Sequence, residues 1–325
     1  PRRLLAVRPG DRVIIPAFGI EQQEEDQLRT IGCEIIDTTC GWVRKVWRAV
    51  RAFSADGLTV LVHGRAEHEE TRATVSRIAG PYVILRDHAG ARHLADWLRA
   101  PLERAGPDDA RALCQPLAGA CSPGFDPQRD LARLGLVNQT TMLSSETSAI
   151  AATLCEAMQQ RLGHPPGADR FRTLDTFCPA TQQRQDAVRE LLASETINRM
   201  IVVGGFRSSN TGHLARLAED RVPTFHVENA GCLISRHEIR HLPAGAGEPR
   251  VARGWFPALP ATIGVSAGAS TPDGETESIL ARLIELLPAV DGTMEKPRGR
   301  PDAPRRSPEG MPAPPDAPHQ DPGGS

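Results

Sequence analysis

Two short runs repeat one pattern, Asp-Thr-x-Cys, at residues 37–40 (DTTC) and 175–178 (DTFC). Each closes an apolar run and opens a helical pattern, so Cys40 and Cys178 fall near helix N-termini. Unpaired N–H groups and the helix dipole favour a thiolate there, and a thiolate binds iron or attacks a substrate. A cysteine without such a task packs as a small apolar residue. The recurrence of the pattern at equivalent positions favours the chemical reading. A third run, HGRAEHEET at 63–71, sets His68 and Glu70 at another helix start. The pair suits metal ligation, helix capping, or an anion-binding and proton-delivering couple, and spacing alone does not choose between them. NQTTM at 138–142 offers Thr140 and Thr141 as caps or as hydroxyl donors to a ligand. GGFRSSNTGHL at 204–214 puts Ser208, Ser209 and Asn210 ahead of a helix, as turn and cap residues or as donors to an oxyanion. It fits neither the dinucleotide fingerprint nor the P-loop. GVSAGASTPD at 264–273 is either a plain turn or a close backbone approach to a ligand with Ser270 as donor. Two thiolates facing neutral donors suit a soft metal or cluster beside a diphosphate. The other cysteines, Cys33, Cys114, Cys121, Cys155 and Cys232, lack such surroundings and read as packing residues.

The elements that must position these groups alternate. Strands are expected at 13–16, 33–37, 58–63, 82–85, 134–137, 172–175, 200–203, 224–226 and 262–265. Helices are expected at 41–53, 70–78, 94–100, 146–161, 181–193, 211–219 and 275–287. Alternation of this kind indicates an α/β fold with mostly parallel sheets. Ligands in such sheets gather beyond the carboxyl ends of the strands, where all six motifs lie.

The whole-chain numbers narrow the class. At 325 residues and 35.1 kDa, the chain is long enough for two or three α/β lobes. With 38 Lys and Arg against 40 Asp and Glu, the net charge of −2 argues against a nucleic-acid partner. No stretch nears the roughly 20 apolar residues of a membrane helix. Seven widely spaced cysteines do not form a disulfide scaffold and suit a reducing cytoplasm. A strand pattern follows Pro1 almost at once, so the N-terminus reads as a cut or misassigned start. The last 35 residues, 291–325, hold 9 Pro and 5 Gly with no Leu, Ile, Val or Phe, and are expected to be disordered.

The series VIIPAFG, DTTCGWVRKVW, HGRAEHEETRAT, GFDPQRDL, NQTTM, TFCPATQQRQDA, VVGGFRSSNTGHL and GVSAGASTPD, in this order between residues 13 and 287, resembles the 4-hydroxy-3-methylbut-2-enyl diphosphate reductase (IspH/LytB) family. Phe18 and the HEET and NQTTM runs resemble its plant and cyanobacterial branch. The resemblance implies a trefoil of three α/β lobes around a 4Fe–4S cluster held by three cysteines, of which Cys40 and Cys178 match two. It implies that Glu70 delivers a proton and that Thr140 sits near the substrate alcohol. It further implies that His68, Thr141, Ser208, Ser209, Asn210 and Ser270 hold the diphosphate. The implied reaction is a two-electron reductive dehydroxylation to isopentenyl and dimethylallyl diphosphates, with electrons from a ferredoxin or flavodoxin. The lobes would run over 1–46 (an incomplete first lobe), 47–165 and 166–260, with 261–290 returning to the first lobe.

The chain departs from the family pattern at three points. The first cluster cysteine has no counterpart and is expected N-terminal to Pro1. Phe18 replaces a histidine found in many members, and Gly41 replaces the usual proline after the second cysteine. A competing expectation is a non-catalytic remnant that keeps the diphosphate pocket without a stable cluster. A structural zinc protein is disfavoured, since no CxxC pair occurs.

Overall fold

The strands that carry the motifs run parallel, and their carboxyl ends therefore point the same way within each sheet. The computed structural model describes residues 4–100, 108, 120–174, 176, 178–194 and 196–287. The expected disorder at 291–325, Cys114 and Asp175 lie outside the described residues.

The first sheet pairs β1 (Arg12–Ile15) with β2 (Glu34–Asp37) in parallel, joined by α1 (Gln22–Ile31). From β2 the chain enters α2 (Gly41–Ala55), whose buried Val43, Val46, Trp47, Val50 and Phe53 recur at helical spacing on one face. The second sheet contains β3 (Thr59–His63), β4 (Tyr82–Leu85), β5 (Leu134–Asn138) and β6 (Phe171–Thr173), in the order β4-β3-β5-β6 and all parallel. Between them lie α3 (Glu69–Val75), α4 (His88–Arg99), α5 (Pro127–Asp130) and α6 (Ser144–Leu162). One face packs Leu61, Leu85 and Leu136 against Leu94, Leu98, Ile150 and Leu154. The other packs Val60, Val62 and Val137 against Val46, Val50 and Phe53 of α2. Burial on both faces is why β3 and β5 read as unbroken apolar runs rather than alternating ones.

The third sheet contains β7 (Arg199–Val203) and β8 (Thr224–Val227), preceded by α7 (Pro179–Ser194) and joined by α8 (Ser209–Glu219). A hairpin of β9 (Glu238–His241) and β10 (Arg250–Arg253) follows, then β11 (Ile263–Ala267) and α9 (Asp273–Glu285). The order β11-β7-β8 is parallel throughout.

The α/β class and the mostly parallel sheets match the sequence reading, but several lobe boundaries do not. Residues 263–267 add an edge to the third sheet beside β7 instead of returning to the first lobe, because Gly264 to Ala267 register against Met200 to Val203. β6 belongs to the second sheet, which therefore extends past residue 165. A boundary at residue 46 would divide α2, whose apolar face covers the second sheet.

A buried ion pair joins α1 to the turn after α3. The guanidinium of Arg77 meets Glu25 at 2.7 Å, donates to the carbonyl of Ile20 and stacks over the Trp47 ring at 3.5 Å.

Gly135 in β5 marks the closest approach of α2 to the second sheet. A Cβ there would overlap the Phe53 ring. Gly135→Ala is expected to destabilise the fold by about 1–3 kcal/mol, since the ring has no room to retreat in a filled core. A urea midpoint equal to wild type would show that Phe53 moves freely.

Candidate active site

Glu70 is a buried acid among the motif residues. It lies in the first turn of α3 and is 3 % exposed. Its carboxylate accepts the backbone N–H of Thr140 at 2.7 Å and the Thr140 hydroxyl at 2.8 Å. Burial pushes its pKa up to about 7, against the lowering effect of the two Thr140 bonds. A carboxyl poised at that value exchanges a proton near neutral pH.

His68 caps α3, its Nδ1 accepting the Glu70 N–H at 3.1 Å. An accepting Nδ1 leaves the ring proton on Nε2 in the neutral form. Burial lowers the pKa of His68, which favours that neutral form. The capping role and a donor role toward a ligand are thus compatible.

The turn after β5 gathers the other elements. Asn138 and Thr176, both wholly buried, bond side chain to side chain at 2.6 Å. That bond fixes the segment leading to Cys178, whose N–H donates to the Thr140 carbonyl at 3.3 Å. Cys178 is half-buried at the entry to α7, and this backbone bond sets it next to the Glu70–Thr140 pair. Cys40 is the N-cap residue of α2 and packs with Val43, Trp47 and Ala73. Ala73 lies one turn beyond Glu70 on α3, so both candidate thiols are tied to elements that carry the pair.

The start of α8 supplies the neutral donors. Ser208 caps the helix, its hydroxyl oxygen accepting the N–H and the O–H of Thr211 at 3.3 and 2.9 Å. Asn210 is 5 % exposed, and both polar atoms of its amide are buried without a partner. Unpartnered buried amides are costly, and a bound ligand is one way to satisfy them. Gly204 allows the close packing behind this helix start, because a Cβ there would overlap the Thr211 hydroxyl. Ser270 lies exposed on the turn after β11, anchored through Thr271, whose hydroxyl donates to the Val203 carbonyl at 3.0 Å.

A cavity of about 460 Å³ is lined by His68, Ser208, Ser209 and His213 together with Arg65, Arg86, Arg207 and Arg216. The arginines were not legible as site residues, since they come from four separate loops and helices. They share the lining with Glu67, Glu69 and Asp87, and Arg65 pairs with Glu67 at 2.9 Å, so the cleft wall carries charges of both signs.

Sequence reasoning also missed Gln139, Asn138 and His213. His213 bonds through Nδ1 to the carbonyl of Thr141 at 2.7 Å, and burial lowers its pKa to about 4. A histidine with a depressed folded pKa binds fewer protons than the unfolded chain between about 4 and 6.5. Its contribution to stability is therefore lost as pH falls through that window, by on the order of 3 kcal/mol in all. His213→Asn keeps a donor for Thr141 without the titration, and its urea midpoint is expected to decline less between pH 7 and pH 5 than that of wild type. Parallel declines in the two proteins would remove His213 as the cause.

The donor set partly fits an iron–sulfur cluster. Two cysteines stand at helix starts, but among the described residues no group of three or more His, Cys, Asp or Glu side chains is assembled for a metal. Cys232 is buried and Cys121 packs against the second-sheet core, in keeping with the packing role expected of them. No helix among the described residues is long and apolar enough to cross a membrane.

The sequence model of the family described as LytB protein matches residues 3–284. A 4-hydroxy-3-methylbut-2-enyl diphosphate reductase from Thermosynechococcus vestitus is 43 % identical over 281 residues, which is 86 % of this chain and 68 % of that protein. Its namesake from a Synechococcus strain is 42 % identical, with the same coverage of both chains. Among solved structures, the E-1-hydroxy-2-methyl-but-2-enyl-4-diphosphate reductase from Plasmodium falciparum matches with a TM-score of 0.56 at 20 % identity. The match covers 86 % of this chain and 69 % of that one, and bears on the fold alone.

Proposed function

The chain belongs to the LytB family, and on that footing we propose that it reduces 4-hydroxy-3-methylbut-2-enyl diphosphate to isopentenyl and dimethylallyl diphosphates. This is the last step of the methylerythritol phosphate route to isoprenoids. The observation that carries the reading is the buried Glu70 carboxyl, bonded to Thr140, poised near neutral pH and adjoining the capping His68.

We assign the cofactor as a 4Fe–4S cluster, with Cys40 and Cys178 as two of its ligands. When bound, such a cluster would relay electrons to the substrate and offer a Lewis-acidic iron for the leaving hydroxyl. The chain's own residues do the rest. His68, Thr141, Ser208, Ser209, Asn210 and Ser270 hold the diphosphate. The protonated Glu70 donates to the Thr140 oxygen, and the Thr140 hydroxyl passes a proton outward to the substrate alcohol, which departs as water; the allyl group, two electrons richer, takes a second proton drawn from solvent to give the products. A ferredoxin or flavodoxin supplies the electrons, and the cytoplasm is the compartment that suits a reduced cluster.

The direct test is anaerobic reconstitution with iron and sulfide, followed by an assay with the diphosphate substrate and a reduced one-electron donor. Formation of the two products supports the proposal; their absence from a reconstituted, iron-loaded protein would overturn it. A second reading is a scaffold that binds diphosphate without a stable cluster, favoured by the lack of a third assembled ligand among the described residues. It predicts pyrophosphate binding without retained iron.

A further inference from the structure

Gln139 is 1 % exposed and bonded on both sides of its amide. Its Oε1 accepts the backbone N–H of Arg65 at 3.2 Å and the Thr71 hydroxyl at 3.1 Å. Its Nε2 donates to the Thr141 hydroxyl oxygen at 2.7 Å and to that of Ser209 at 3.4 Å. A backbone N–H can only donate, so the amide oxygen must lie on the Arg65 side and the nitrogen on the hydroxyl side.

The consequence concerns protons. A hydroxyl has one proton to give and lone pairs to receive. Thr141 and Ser209 both receive from Gln139, which leaves their own protons for a third partner. Ser208 is in the same condition, since its oxygen receives both Thr211 donors. Ser208 and Ser209 line the cavity, and the unpartnered Asn210 amide lies between Ser209 and Thr211 on the same helix.

We propose that Gln139 is a positioning residue for anion binding: its amide N–H2 group occupies the acceptor side of Thr141 and Ser209 and turns both hydroxyl protons toward the bound diphosphate. The proposal rests on the diphosphate reading above and adds the group that orients the donors. It reaches across the molecule, because Gln139 directly follows β5 of the second sheet and Ser209 begins the helix after β7.

The test is calorimetric titration of inorganic pyrophosphate into the full chain. Gln139→Met keeps the length and removes the amide. It is expected to weaken binding by about tenfold to a hundredfold, the range for a hydrogen bond to a charged group. The same change made in a Thr141→Val, Ser209→Ala background is expected to add almost nothing, since the hydroxyls through which it acts are gone. An equal loss in both backgrounds would overturn the proposal, as would unchanged binding by the single variant. Should Gln139→Met fail to fold, Gln139→Glu keeps acceptors for Arg65 and Thr71 and reverses only the other side. Its loss contains a repulsive part that persists in the double-variant background and an orienting part that does not. In the reductase assay, KM rises while kcat is little changed. A wild-type chain that binds no pyrophosphate would sink the diphosphate reading itself; a wild-type chain that binds, beside a Gln139→Met variant that binds equally, would sink only the role of Gln139.

Discussion

Glu70→Gln is expected to lower kcat by about two to four orders of magnitude while leaving pyrophosphate affinity and iron content near wild type. Gln matches the shape of Glu and still accepts the Thr140 N–H, so the turn after β5 stays in place. What it cannot do is release a proton. The loss corresponds to about 3–5 kcal/mol of barrier, which is the size of effect expected of a positioned general acid. The pH dependence supplies a second check. Burial raises the Glu70 pKa to about 7, so the acid form is present below that value and lost as pH rises through it. The wild-type rate should fall across neutral pH, and the residual rate of the variant should not follow the same curve. A variant that turns over at the wild-type rate would remove Glu70 from proton delivery.

Cys178→Ser is expected to abolish turnover and to lower the iron retained after anaerobic reconstitution. Serine keeps the size of the side chain, and the backbone bond from residue 178 to Thr140 does not depend on the side chain. It does not supply a thiolate, the ligand that iron–sulfur clusters require. Cys155→Ser is the control, because Cys155 lies half-buried in α6, away from the helix starts that carry Cys40 and Cys178. Iron content and visible absorbance equal to wild type in Cys178→Ser would refute the ligand role. Equal losses in both variants would point to general damage to the fold.

The parallel strands and the motif-bearing turns were legible because β3, β5 and β7 are unbroken apolar runs followed by polar turns. α1 was not legible: QQEEDQLRTI buries only Leu28, so it shows little apolar periodicity. The β9–β10 hairpin was missed for a related reason, since EIRH and RVAR are short and carry charge. The site was legible as residue types but not as bonds. Glu70 and Thr140 are 70 residues apart, as are Gln139 and Ser209, and no local pattern announces such a pairing. The histidine at position 68 illustrates the point: its capping bond to Glu70 is local and readable, whereas its place on the cavity wall depends on α8 and the loops that face it.

The distance along the chain between Glu70 and Thr140 has a consequence for biosynthesis. A ribosome releases Glu70 well before Thr140, so the nascent chain carries an ordinary solvated carboxylate at that position. Its unusual hold on a proton is acquired only when β5 docks beside β3. The infrared carbonyl band of a protonated buried carboxyl would therefore serve as a native label for the completed second sheet, visible without any attached dye.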